Sequence, residues 1–354
     1  NAGLTPATGG EAISATNAAT AIPPGVWTTL TGPKYVEGDA TNVTTGTIIL
    51  HAPAGFEFDT NTVAGPAPTV LMHTVGTNGS YASSRNINAL NFGEAIAVTR
   101  ETNKLTITIT QSSQANGGNK QWCSLTWTNV RVRPLLGTPL VRRFLTNSGA
   151  SALLSVTPGN TSWGNLGMVA GPPAVLQIFQ QPSPTATAGV NFTQQPIIRI
   201  LDSAGNWLFN NNTSVVTVAR FDGSGTLQGT LSLTATNGEV RYTNLHHLVS
   251  GTINLQFTSP GLNSATSQNI VISSGPAANL SIQTQPSATA TAGVNFAQQP
   301  VIRITDAYGN LISTTAPVTV VRNAGSGTLQ GTTVVNAVGG IGTFTRPQRF
   351  RPRV

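Results

Sequence analysis

The chain has a single cysteine, Cys123, in 354 residues. An internal disulfide is excluded, so stability has to come from buried sheet. Charge is scarce as well. Asp, Glu, Lys and Arg make up 8% of the residues, against roughly 25% in soluble domains. Eleven carboxylates and four histidines leave few groups for acid–base or metal chemistry. No stretch of 18 apolar residues occurs, so no membrane insertion is expected. No apolar stripe of period 3.6 lasts beyond two turns, and 37 Gly and 22 Pro interrupt the chain, so helices are not expected. There is no initiator Met and no charged-then-apolar leader, and the chain reads as a processed or excised product. No GxSxG, HExxH or CxxC is present, and Gly223-Ser224-Gly225 precedes no helix that would cradle a phosphate.

Thr, Ser, Asn, Gly and Ala stand where charges usually would. Hydrophobic content is 39%, and the apolar residues recur with a period of two, which separates the chain from disordered polymers. Leu105, Ile107 and Ile109 alternate with Thr106, Thr108 and Thr110, the signature of a strand with one buried face. Cys123, Leu125 and Trp127 share a face opposite Ser124 and Thr126. The phase then slips to Val130 and Val132, which predicts a bulge near Thr128–Asn129. Thr47–Leu50, HAPAG and Phe56-Glu57-Phe58 read as strand, turn, strand. Many short strands with closely spaced turns predict an all-β protein of tandem antiparallel sandwiches.

Residues 181–206, QPSPTATAGVNFTQQPIIRILDSAGN, recur at 285–310 as QPSATATAGVNFAQQPVIRITDAYGN, an offset of 104. Solenoid units repeat every 20–50 residues, so a period near 100 marks copies of a whole domain. GPPAVL at 171–176 and GPAANL at 275–280 open the copies. The predicted domains are 1–170, a larger N-terminal sandwich; 171–274, the first repeat; and 275–354, a second repeat lacking its final strands. GSGTLQGT at 223–230 returns at 325–332, and Tyr242-Thr243 matches Phe344-Thr345. Beyond Thr345 the run RPQRFRPRV reads like neither strand, and the strands expected at Asn254–Phe257 and Ile270–Ile272 have no counterpart. WTNVRVRPLLGT at 127–138 also echoes YTNLHHLVSGT at 242–252.

The repeated segments ILDSAGN (200–206) and ITDAYGN (304–310), with GTLQG and NGEVRYTNL (237–245), resemble the immunoglobulin-like repeats of bacterial surface proteins of the invasin and intimin type. The resemblance covers 171–345. It implies an immunoglobulin-like sandwich outside a bacterial cell, used as stalk or adhesive surface.

The chemically suggestive residues have structural readings that fit better. Asp202 and Asp306 are placed to close turns, with Gly205 and Gly309 at positive φ, since calcium needs six to eight oxygens and few carboxylates cluster nearby. Glu57 and Asp59 share a strand face that is expected to be solvated. His246 and His247 point to opposite faces and chelate poorly; these two, His51 and His73 are expected at surfaces or loops. Cys123 is expected to be a buried, inert thiol. Among Trp27, Trp122, Trp127, Trp163 and Trp207, Trp122 and Trp207 are the candidates for stacking on a sugar. The Asn-x-Ser/Thr triplets at Asn42, Asn78, Asn160 and Asn279 are what a Thr/Asn-rich chain gives by chance.

Catalytic, cofactor and metal sites are therefore not expected. The net charge of +7 and pI near 10.3 do not point to nucleic acid, because basic residues are spread out and interleave with no aromatic comb. The one dense run is Arg346, Arg349, Arg351 and Arg353. The expected role is a non-enzymatic extracellular structural protein, a rod-like unit of a surface fibre, layer or adhesin stalk. It would self-associate, with strand exchange from the N-terminal arm (1–20) into the second repeat as one route. The alternative is an adhesin that binds a glycan or receptor through residues 1–170.

Overall fold

A computed structural model describes residues 2–21, 25–61 and 65–345, and the backbone of 348–349. The chain divides into two compact units, Asn1–Ala174 with Leu201–Leu208, and Val175–Ile200 with Phe209–Val354. Both are built from β-strands. Among the described residues helix is confined to three short 3-10 turns, Ala15–Asn17, Ser83–Arg85 and Ile87–Ala89.

The first unit holds a six-stranded and a four-stranded sheet. The first runs Gly3–Thr5, Lys34–Val36, Asn119–Thr128, Thr69–Asn78, Ala95–Ile96, with Ala115–Asn116 on its longest strand. The second runs Thr146–Ser148, Gly46–His51, Lys104–Ile109, Thr99–Glu101. Alternation decides which side chains meet. Leu105, Ile107 and Ile109 share one core with Ile48, Leu50, Val70, Met72, Leu125 and Trp127. Trp127 meets Trp163 edge-on at 5.1 Å, and both are buried.

Three expectations change here. The phase slip after Trp127 is a strand end, because Asn129 adopts φ 56° and a new strand begins at Arg131. The bulge lies earlier, between Trp122 and Cys123. There Gly76 sits opposite Trp122, and a Cβ at Gly76 would fall 2.2 Å from the indole. The N-terminal arm is not a free donor strand. Gly3–Thr5 pairs with Lys34–Val36, and Ile13 and Ser14 pair in parallel with Met168 and Val169. Ile13 and Ala15 are core residues. Finally, Glu57 and Asp59 do not face water. They lie beside the neighbouring strand Arg131–Pro134, with Glu57 2.7 Å from Arg133 and Asp59 2.7 Å from Arg131. Buried carboxylates need such partners.

The second unit contains the second repeat and most of the first, whose residues 171–174 and 201–208 belong to the first unit, and the registers of the two repeats coincide. Ile197, Ile198 and Arg199 lie opposite Arg241, Val240 and Glu239; Val301, Ile302 and Arg303 lie opposite Thr343, Gly342 and Ile341. Val216 pairs with Leu233 as Val318 pairs with Val335. Leu227–Gln228 pairs with His246–His247, and Leu329–Gln330 pairs with Gln348–Arg349 in the same register. Gln348–Arg349 of the tail is therefore a strand, contrary to the sequence reading, and Arg346, Arg351 and Arg353 lie outside the described residues. One strand set differs. In the first repeat Gly251–Thr258 pairs with Val215–Asp222 and with Ile270–Ser273, and the latter pairs in parallel with Thr185–Thr187. Ile253, Leu255, Phe257, Ile270 and Ile272 are buried there. Among the described residues of the second repeat, Pro317–Thr319 pairs with Val334–Asn336 alone.

Candidate functional site

The repeated Asp-x-x-Gly-Asn turn is the most organised polar feature of the chain, and both copies are wired alike. Each caps a strand whose two ends are tied across the turn, Asp202 N to Asn206 O and Asp306 N to Asn310 O, both at 3.0 Å. Gly205 and Gly309 take φ 89° and 86°, as expected from the sequence.

Asp202 Oδ1 accepts from Ala204 N (2.9 Å) and Asn206 N (2.8 Å). Its Oδ2 accepts from Gly171 N (2.8 Å) and from the Asn206 amide (2.9 Å). Asp306 Oδ1 accepts from Tyr308 N and Asn310 N, both at 2.9 Å. Its Oδ2 accepts from Gly275 N (2.9 Å) and the Asn310 amide (2.7 Å). Four donors fill each carboxylate. A calcium ion would have to displace them, so the turn reading stands on geometry. Burial opposes the charge on Asp306. The donors, led by the Asn310 amide, outweigh it and hold the carboxyl below its usual range.

Both asparagines reach outside their turn. In the first unit, Asn206 Nδ2 donates to Gly137 O at 3.0 Å. In the second, Asn310 Nδ2 donates to Leu248 O at 2.7 Å and its Oδ1 accepts from Ser250 N at 2.8 Å. Gly171 and Gly275, which the two aspartates hold, stand at the openings of the copies. Each turn thus joins the start of its own repeat to backbone in the later part of the segment before it. The acceptor carbonyls of Gly137 and Leu248 both lie in the echoing stretches 127–138 and 242–252, though not at equivalent positions. Within them, Trp127 and Tyr242, Val130 and Leu245, and Val132 and His247 occupy matching buried positions. His247 is core rather than surface. The residue before the turn glycine differs. Ala204 packs against Gly137, whereas Tyr308 lies over Gly189, where a Cβ would fall 2.2 Å from its hydroxyl.

The other residues singled out in the sequence do not gather into one site. His51 Nε2 is 2.7 Å from Ser148 Oγ, and His73 meets the Phe92 ring at 4.7 Å. Cys123 is buried, and burial pushes its thiol up to about 12. Trp27 is covered by the Arg133 guanidinium at 4.1 Å. Trp122 is half-buried, and Trp207 is 39% exposed. Among the described residues no three of His, Cys, Asp and Glu are grouped to hold a metal.

Sequence reasoning missed Glu37. Its carboxylate is buried and accepts from Val43 N (3.0 Å), Ser113 Oγ (2.9 Å) and Cys123 N (2.8 Å). Burial raises it to about 7 against those hydrogen bonds. This carboxylate pins the loop after Lys34–Val36 to the strand Asn119–Thr128.

No protein-family model and no curated protein matches the chain. Solved structures similar to it include InvD of Yersinia pseudotuberculosis, at 15% identity and TM-score 0.27, covering 99% of this chain and 84% of that one. The major pilin subunit BcpA of Bacillus cereus matches at 8% identity and TM-score 0.25, over 88% and 68% of the two chains. Invasin, described as a bacterial integrin-binding protein, matches at 12% identity and TM-score 0.29, over 96% of this chain and 55% of its own.

Proposed function

We propose that the chain is a non-enzymatic extracellular structural protein of a bacterial surface, a rod-like unit of a stalk, fibre or layer. Its domains in this reading are 1–170, 171–274 and 275–354. The paired Asp–Asn turns carry the proposal. In both copies the Asp and Asn side chains bind backbone of their own linker and of the preceding segment, which is what a stiff join between tandem domains requires. The two wirings match atom for atom at the carboxylates.

Small-angle scattering on the intact chain tests this. Asn206→Ala with Asn310→Ala is expected to loosen the joins and broaden the distance distribution, while circular dichroism keeps its β spectrum. An unchanged distribution overturns the reading.

A second reading, an adhesin with residues 1–170 as its head, is favoured by the half-buried Trp122; Trp207, 39% exposed, lies in the first repeat. A glycan array with Trp122→Ala and Trp207→Ala separates the two. Loss of a specific glycan signal in either variant supports the adhesin, and no signal for the parent chain removes it.

A further inference from the structure

We propose that the open strand Arg142–Phe144 of the first unit is a docking edge for an extended segment of another protein, one that carries two successive carboxylates. The site lies within 1–170, and it depends on neither the joins between domains nor a glycan.

Residues 142–148 run along the rim of two sheets. Arg142–Phe144 is the outer strand of the sheet it forms with Asn165–Val169 and Ile13–Ser14. Thr146–Ser148 is the outer strand of the sheet it forms with Gly46–His51. Leu145, between them, is a core residue. The second half of the rim is covered, because Asn147 O accepts from Gly159 N at 2.9 Å. The first half is open, and all three of its residues are exposed. Register fixes which backbone groups it offers. Met168 N donates to Val141 O and Leu145 N to Gly164 O, both at 2.8 Å. Val141, Arg143 and Leu145 therefore turn their polar backbone inward, and Arg142 and Phe144 turn theirs outward. Among the described residues only Arg143 caps that edge, its guanidinium donating to Arg142 O at 3.0 Å. An edge with free N–H and C=O groups is a template for strand addition, with backbone hydrogen bonds for affinity and side chains for specificity.

Side chains select the occupant. Leu140, Arg142 and Phe144 share one face and Arg143 takes the other. Leu140 and Phe144 are exposed. The ion pairs among the described residues use Arg131, Arg133, Arg199, Arg241, Lys104 and Lys120, and neither Arg142 nor Arg143 joins one. An antiparallel strand on this edge sets adjacent residues opposite Arg143 and Arg142. Two successive carboxylates match them, with apolar residues opposite Phe144 and Leu140. A carboxylate holds a guanidinium more strongly than a neutral carbonyl does, so it draws Arg143 off Arg142 O and frees that acceptor. A second copy of this chain does not fit. No two carboxylates adjoin anywhere in the sequence, and pairing edge to edge sets arginines against arginines.

The test uses the intact chain and three labelled peptides. TVEETVT has the matching pattern, and TVKKTVT reverses its charge. The third is TVEETVT with N-methyl groups on the first valine and the second glutamate, the residues set to bond Phe144 and Arg142. Fluorescence anisotropy is expected to show saturable one-to-one binding of TVEETVT, with the other two weaker by about tenfold or more. Hydrogen exchange at the Arg142 and Phe144 amides should slow when TVEETVT is bound. Arg142→Gln with Arg143→Gln, both at exposed positions, is expected to weaken TVEETVT by about tenfold while the melting temperature holds. No binding of TVEETVT overturns the proposal, as does equal binding of TVKKTVT. Equal binding of the N-methylated peptide, or unslowed exchange at the two amides, overturns it in favour of plain attraction of an anion such as a sulfated glycan. Dimers in light scattering that TVEETVT disperses overturn it in favour of a second copy. None of these outcomes moves the scattering result for the Asn206 and Asn310 variants or the glycan signal of Trp122→Ala, so those readings are judged separately.

Discussion

Asn310 donates its side-chain amide to Asp306 Oδ2 and to Leu248 O at once, each at 2.7 Å. One planar group therefore closes a turn and holds a neighbouring segment. Replacing it with alanine strands the Leu248 carbonyl, the Ser250 N–H and one lone pair of Asp306. The expected cost is about 1–3 kcal/mol for groups left buried without partners. Urea denaturation of Asn310→Ala measures it. A loss below about 0.5 kcal/mol, the scatter of ordinary surface substitutions, removes the junction from the list of stabilising features.

Gly309 isolates backbone strain. Its φ is 86°, and a Cβ added there meets nothing within 4 Å. Gly309→Val is therefore expected to cost on the order of 1–2 kcal/mol from conformation alone. Gly205→Val, at φ 89° and equally open, should cost the same. Unequal losses in the two variants, measured by the same denaturation, would show that packing contributes at one of them.

Glu37 makes stability depend on pH. Its carboxyl sits near 7 in the folded chain against 4.5 in the unfolded one. The folded state holds the proton more tightly, so this contribution is complete below about 4.5 and is lost as pH rises through about 7. The size is on the order of 3 kcal/mol from the shift of the group. Melting temperatures recorded from pH 5 to 8 are expected to fall. In Glu37→Gln that dependence flattens, although the amide sets a donor against Cys123 N–H and lowers stability at every pH. An unchanged slope in the variant assigns the pH effect elsewhere.

Cys123 is expected to resist modification. It is buried, and its thiol is pushed up to about 12. The thiolate is the reactive form. A disulfide reagent should leave the native chain unlabelled for hours and titrate one thiol per chain in denaturant. Rapid labelling of the native chain would mean that the strand Asn119–Thr128 opens.

The strands were legible because alternation is local. Leu105, Ile107 and Ile109 announce a buried face with no knowledge of what covers it. The turns were legible for the same reason, since Asp202 and Gly205 act within five residues. The function of Asn206 and Asn310 was not. Their acceptors lie 69 and 62 residues back in the chain. Glu37 was hidden in the same way, because Ser113 and Cys123 stand 76 and 86 residues away. Gly38 and Asp39 beside it carry no alternation that would mark it as buried. The face of Glu57 and Asp59 was misread because alternation shows which residues share a side and not which side meets Arg131 and Arg133.

The acceptor carbonyl of each junction lies in the later part of one segment, and the asparagine that finds it lies in the first half of the next. A stretch of about one hundred residues therefore carries both a plug, in its first half, and a socket, in its second. Unequal crossing-over between the two near-identical blocks would add or remove such a stretch and leave both joins intact. Length then becomes a trait that recombination can change in whole steps, with no new interface to evolve.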